Sequence, residues 1–314
     1  MRLPAYPLIT VDPFFSIWSR SENLYDDDTM LWYGRKKRIS ATISVDGKAY
    51  RFIGKGIQPA IEQTDRKVTP YITYYTFKNE QVQLDVRFYT PLLIKELDCL
   101  SLPCSFIDCS VSSADGKIHE VSVKLSLASE FCYNKTPKEI ETSVESYKNS
   151  ELASMGLKNQ TPLSESGDDV GANWGYYYLC GGKAEIGTDR KHRISSVCSG
   201  RTDGLLEFNF IAAFDDVYSI EYMGEKLKGL WTESFADIKD AIIFCRDNRE
   251  TLYKKLLAQN KMILDDAEDF GESYQAILTA AARLVLAGQA CKERKGRASL
   301  SFKGMLFKRL YQYG

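Results

Sequence analysis

From Arg38 to Met223, apolar residues recur at every second position in short runs broken by turn residues. This period belongs to strands with one buried face, and it leaves little room for helix over most of the chain. RISATISVDGKAYRFIG holds two such runs around Asp46-Gly47, a dipeptide suited to a two-residue hairpin turn. KVTPYITYYTF and QVQLDVRFYTPLLI, separated by Lys78-Asn79-Glu80, predict a second hairpin. CLSLPCSFIDCSVSS and KIHEVSVKLSLASEFCY, flanking Ala114-Asp115-Gly116, predict a third. YYYLC at 176–180, LLEFNFIAAF at 205–214 and VYSIEYM at 217–223 continue the pattern, with Asp215-Asp216 as the last tight connection. Residues 157–172 are polar and turn-rich and read as a long surface loop. Many strands, short turns and no intervening helix predict an antiparallel β-sandwich.

No periodic run precedes Arg38, yet Phe14, Phe15, Ile17 and Trp18 must be buried. The first 35 residues are therefore expected to wrap over the sandwich as an irregular segment. After Gly229 the period changes to 3.6. Trp231, Phe235, Ile238, Ile242 and Cys245 share one helical face. Leu252, Leu256, Leu257 and Ile263 mark a second helix. Tyr274, Ile277, Leu278, Ala281, Leu284 and Val285 mark a third, with Gly288 as its stop.

Composition removes several classes of function. Lys and Arg number 41 against 42 Asp and Glu, for a net charge of -1. This argues against nucleic acid or an anionic membrane as partner. No apolar run reaches the roughly 18 residues of a membrane span. Pro4, Pro7 and Asp12 interrupt any signal-peptide core, so a cytoplasmic protein is the default expectation. The 8 cysteines form no CxxC pair, and alternation puts Cys99 and Cys109 on one strand face with Cys104 on the other, which reads as buried thiols. His119 and His192 are the two histidines, too few for a three-histidine zinc site; both read as turn or surface residues. Phosphate-loop, dinucleotide, GxSxG and HExxH motifs are missing, so no cofactor and no metal are expected.

At family level, LPAYPLITVDPFFSIWSRSENLYDDDTMLWYGR followed by VDGKAYRFIG resembles the N-terminal segment of the glutaminase A family. VTPYITYYTF, VRFYTPLLIKELDCLSLP and SADGKIHEVSV are similar to that family's following β-domain, and ANWGYYYLC to its WGY element. GESYQAILTAAARL is similar to the start of its six-hairpin helical toroid. The resemblance runs in order from residue 3 to about 290. It implies hydrolysis of the glutamine side-chain amide to glutamate and ammonia. The plan also resembles several glycoside hydrolases, whose acid and base carboxylates come mainly from the toroid.

The expected fold class is thus mainly β: an antiparallel, supersandwich-like β-sandwich followed by the first helices of a truncated α/α toroid. The expected divisions are 1–60, an N-terminal segment wrapped on the sandwich; 61–229, the sandwich; 230–290, linker helices and the start of the toroid; and 291–314, an aberrant basic tail. That tail carries seven basic residues and one acid. Permitted codons for residues 298–314, read one base later, spell PLFLSKECFSNGCIST, similar to the string with which the family's toroid continues. A frame change near residues 290–298 is the expectation, with a tail that is poorly ordered and has no function of its own. The apolar helix at 272–290 would then be left uncovered and open to self-association.

The strongest candidates for substrate contact surround an acidic turn. Asn23, Tyr25 and the consecutive Asp26, Asp27 and Asp28 are flanked by Trp18 and Trp32. Three adjacent acids repel one another unless something offsets the charge. One reading has Asp26 or Asp28 pointing into a site between sandwich and toroid, with Tyr25 and a tryptophan platform from Trp18 or Trp32. The other has the acids capping a turn and the tryptophans anchoring the core. A calcium site has no supporting spacing. Asp168-Asp169 read as solvated loop or site rim. Catalytic residues are not identifiable, and the substrate is expected to be a small molecule, glutamine or a related amide, or a sugar. Two functions follow: a glutaminase A-type or similarly built hydrolase that is inactive as this chain, or a non-catalytic β-sandwich interaction module.

Overall fold

The computed structural model describes residues 3–165, 169–187, 192–222, 224–287, 289–294 and 297–302. The N-terminal segment forms three short antiparallel strands, β1 (Tyr6–Thr10), β2 (Ser16–Ser19) and β3 (Met30–Leu31). An irregular wrap was the expectation. The Asp12 carboxylate instead accepts from the backbone N–H of Phe14 and Phe15 at 2.6 and 2.9 Å, turning the chain back on itself. Strands this short leave no periodic signature. Phe15, Ile17 and Trp18 are buried, and Phe14 meets Trp174 edge-on at 5.0 Å.

β4 (Ile39–Val45) and β5 (Lys48–Ile53) make the predicted hairpin, with Asp46 and Gly47 at φ 50° and 83°. β6 (Glu62–Val68), β7 (Ile72–Lys78) and β8 (Val82–Tyr89) form a meander that contains the second predicted hairpin. A single turn, α1 (Leu97–Leu100), takes Cys99 out of the strand assigned to it. β9 (Cys104–Ser113) and β10 (Glu120–Ala128) follow, and the third hairpin does not form: β9 lies between β8 and a later strand of one sheet, while β10 pairs with β4 in the other. Alternation is satisfied equally in either sheet, so the local pattern does not choose the partner.

β11 (Ile140–Tyr147) and β12 (Ser150–Leu157) form a hairpin missed in the sequence, with Lys148 and Asn149 at φ 44° and 63°. β11 is a polar edge strand and hides its period. β13 (Tyr176–Cys180), β14 (Lys183–Gly187), β15 (Arg193–Arg201) and β16 (Leu206–Asp215) complete the sandwich. β17 (Ile220–Tyr222) and β18 (Glu225–Leu227) pair only with each other, so Asp215-Asp216 leads away from β16.

The result is an eight-stranded sheet in the order β11-β12-β13-β16-β9-β8-β7-β6 over a five-stranded sheet in the order β14-β15-β10-β4-β5. Between them lies a core that includes Phe77, Phe88, Ile107, Val123, Leu125 and Tyr177. The other face of the eight-stranded sheet carries Tyr89, Phe106, Cys104 and Ile211, covered by Trp231 and by α2 (Ile238–Asp247) and α3 (Arg249–Asp266). Cys104 and Cys109 fall on opposite faces, as alternation requires. Mainly antiparallel β-structure with C-terminal helices is the architecture expected from the sequence.

Two buried polar contacts fasten the helices. The Asp108 carboxylate accepts from Arg87 and Arg249 at 3.0 Å each and from the Tyr89 hydroxyl at 2.9 Å. From α4 (Glu272–Ala287), the fully buried Arg283 donates to the carbonyls of Pro7 and Thr69 and, at 2.6 Å, to the Thr73 hydroxyl. Beyond α4, β19 (Gln289–Arg294) and β20 (Arg297–Phe302) pair as an antiparallel hairpin. Residues 295–296 and 303–314 of the tail, and Gly288, lie outside the described residues. Among the described residues, no helix is long and apolar enough to cross a membrane.

Candidate functional site

The acidic turn between β2 and β3 is held from three directions. Asp26 accepts from the Asn23 amide at 2.9 Å and otherwise faces solvent. The backbone N–H of Leu24 donates to Gln63 at 2.8 Å, and its carbonyl accepts from Gly54. Asp27 meets Lys55 at 2.9 Å, and this hydrogen-bonded ammonium holds its carboxyl below the ordinary carboxylate range. Asp28 meets Lys36 at 3.0 Å. The repulsion expected from three adjacent acids is thus offset by a separate partner for each.

Asp28 also lines a cleft of about 170 Å³ together with Arg38, Ser40, Lys55, Ser126 and Arg193. Its floor follows from register: Ser40 on β4 stands opposite Ser126 on β10, whose hydroxyl is 2.8 Å from that of Ser195 on β15. Arg38 forms an ion pair with Glu130 at the rim. Beneath the turn, Lys37 is buried and its ammonium donates to the carbonyls of Glu130, Phe131 and Tyr133 at 2.5, 3.2 and 2.8 Å. Burial pulls Lys37 from 10.5 down to about 7. It fixes the segment carrying the cleft residues to the loop after β10.

The cleft holds two guanidiniums, an ammonium, serine hydroxyls and one carboxylate. Guanidinium forks and hydroxyls suit a small ligand with carboxylate or hydroxyl groups. Asp28 is the one carboxylate among the described lining residues. Hydrolysis by paired carboxylates needs a second one facing the first.

The five predicted contact residues are separated by the structure. Asp28 lines the cleft. Tyr25 is half-buried, its ring against Phe77 and 5.8 Å from the Arg51 guanidinium. Trp18 is buried, and its indole N–H donates to Ser16 at 2.8 Å. Trp32 is exposed beside Tyr33, with its indole N–H on the Pro13 carbonyl. One of the two sequence readings put Asp26 or Asp28 in a site between sandwich and toroid. Their cleft is built on the five-stranded sheet, whereas the helices cover the far face of the eight-stranded one. Asp169 is exposed, and Asp168 lies outside the described residues. Arg38, Ser40, Lys55, Ser126 and Arg193 were missed; their one visible signal is the run of serines at outward positions of RISATISV and EVSVKLSLA.

One of the two histidines differs from expectation. His192 is exposed, but His119 is buried between two carboxylates, Asp46 at 2.7 Å and Asp115 at 2.9 Å. It ties the β4–β5 turn to the crossing between sheets.

The chain matches two family models: one described as Domain of unknown function (DUF4964) over residues 1–60, the other as Domain of unknown function (DUF5127) over residues 72–204. Among curated proteins it is similar to glutaminase A of Aspergillus oryzae (strain ATCC 42149 / RIB 40). The two are 27% identical over 139 residues, covering 41% of this chain and 20% of that protein. The relationship is distant, and the match spans about one fifth of the relative's length. Among solved structures, one described as a kojibiose phosphorylase from human microbiome superposes with a TM-score of 0.51 at 9% identity, over 90% of this chain and 39% of that one. That likeness is one of fold.

Proposed function

We propose that this chain is the N-terminal β-part of a glutaminase A-type hydrolase and that it does not turn over substrate by itself. The carrying observation is the match to Aspergillus oryzae glutaminase A at 27% identity. The geometry supports the second half of the reading. The Asp28 cleft has cationic and hydroxyl groups for a small polar ligand but one carboxylate among its described lining residues. On this reading the divisions at 60, 229 and 290 separate the wrapped segment, the sandwich and the helical part.

The test pairs an ammonia-release assay on the purified 314-residue chain with thermal shift. The expected result is no turnover of L-glutamine, with a rise in melting temperature on adding it that Asp28→Asn abolishes. Robust ammonia release would overturn the inactive reading. Stabilisation by disaccharides but not by glutamine would replace it with a sugar-acting hydrolase of the same plan. No response to either class would leave the non-catalytic interaction module.

A further inference from the structure

Three buried cysteines converge where the eight-stranded sheet meets α2. Cys104 on β9 stands opposite Ala213 of β16, and Cys180 on β13 stands opposite Ile211 of the same strand. The two cysteines thus flank β16 on the sheet's outer face. α2 lies over β16 and β9, with Ala241 and Cys245, one turn apart, fully buried in the same cluster. Cys104 and Cys245 are both 0% exposed, and their thiols hydrogen-bond to each other. Cys180 is a neighbour of this pair rather than a member, since its side chain hydrogen-bonds to Ser150 instead. A buried cysteine ordinarily serves as a small apolar side chain. That accounts for each of these residues singly. It does not account for a strand cysteine and a helix cysteine, far apart in sequence, meeting sulfur to sulfur.

We propose that Cys104 and Cys245 form an oxidation-sensitive latch, joined as a disulfide by a low-molecular-weight disulfide, that fastens α2 to the sheet. The latch rests on this pair and is independent of the proposed hydrolase reading. The chemistry is two thiol–disulfide exchanges. The Cys245 thiolate, reached when α2 lifts from the sheet, attacks one sulfur of the small disulfide. A mixed disulfide forms and one small thiolate leaves. As α2 settles back, the Cys104 sulfur attacks the Cys245 sulfur, the protein disulfide forms, and the second small thiol leaves with the Cys104 proton. Two protein thiols are oxidised, and one small disulfide is reduced to two thiols. In the closed structure neither protein sulfur meets solvent, and burial holds the Cys104 thiol well above its usual range. The latch therefore sets slowly, at the pace of local opening. Once set, it closes a long loop from β9 to α2, which restricts the unfolded chain more than the folded one.

The test incubates the native full chain with excess oxidised glutathione, alkylates free thiols under denaturing conditions and maps the peptides without reduction. The expected result is a loss of two of the 8 thiols and a peptide pair linking Cys104 to Cys245. The melting temperature should rise by several degrees and return to its starting value with dithiothreitol. Limited proteolysis of α2 and α3 should slow several-fold in the oxidised form. Cys245→Ser should abolish the linked peptide, and Cys180→Ser should leave it in place; the wild-type map decides the matter even where a variant folds poorly. A full set of thiols after prolonged oxidation, a link from Cys180 in place of Cys104–Cys245, glutathione adducts with no protein disulfide, or an oxidised form that melts below the reduced one would each overturn the proposal.

Discussion

Lys37 gives the sharpest test of how the N-terminal segment is held. Its ammonium is buried, with three backbone carbonyls as partners. Burial brings it from 10.5 to about 7, a penalty on the order of 5 kcal/mol on the folded, charged form. Lys37→Met removes that penalty but leaves three carbonyls unpaired, at about 1–3 kcal/mol each. The two effects nearly offset at neutral pH, so a single stability value decides little. The pH dependence decides more. Between about 7 and 10.5 the unfolded lysine keeps a proton that the folded one has released. The unfolded state then binds more protons, and stability rises with pH. Relative to Lys37→Met, the wild type should gain about 2 kcal/mol between pH 7 and pH 9. Urea unfolding followed by far-UV circular dichroism measures this, and other titrating groups cancel in the difference. A difference that stays flat, or falls as pH rises, would refute the reasoning.

Three further outcomes are expected. Gly175→Ala places a methyl 2.5 Å from the Phe214 ring and 2.6 Å from the Asp215 carbonyl, at φ 90°, and should cost about 2–5 kcal/mol in urea unfolding. Asp108→Ala leaves Arg87 and Arg249 facing each other and should cost roughly 3 kcal/mol; limited proteolysis should then cut the α3–α4 region sooner, and unchanged cleavage would count against the Asp108 anchor. The His119 clamp should be strongest between about pH 4 and 6.5. Hydrogen bonding from His119 holds Asp46 low and Asp115 at about 2, a contribution lost as pH falls through those lowered values; hydrogen bonding to Asp46 and Asp115 raises His119, a contribution lost as pH rises through its raised value. NMR titration of the imidazole checks it, and a midpoint at or below 6.5 would contradict the geometry.

How much of this was legible in the sequence depends on how far apart the determining residues lie. Asp46-Gly47 sets its hairpin locally, because both residues accept the positive φ that the turn needs. The choice of sheet for β9 and β10 is not local. Each strand alternates correctly for either sheet, and the link between them is held by His119 reaching back to Asp46, 73 residues earlier. The cleft repeats this contrast. Asp28 stands out because three acids in a row demand partners. Ser40, Ser126 and Arg193 are ordinary outward residues until strand pairing gathers them.

α4 shows a further case, in which the sequence marks the helix but not its rotation. Its apolar period marks a helix, and by habit the apolar stripe is the buried one. Arg283 overrides this. Its three acceptors, the Pro7 and Thr69 carbonyls and the Thr73 hydroxyl, lie on the sandwich side, and a guanidinium that reaches all of them turns the opposite stripe outward. One buried polar residue therefore sets the rotation of the helix, and the apolar surface it exposes is a consequence of satisfying that residue.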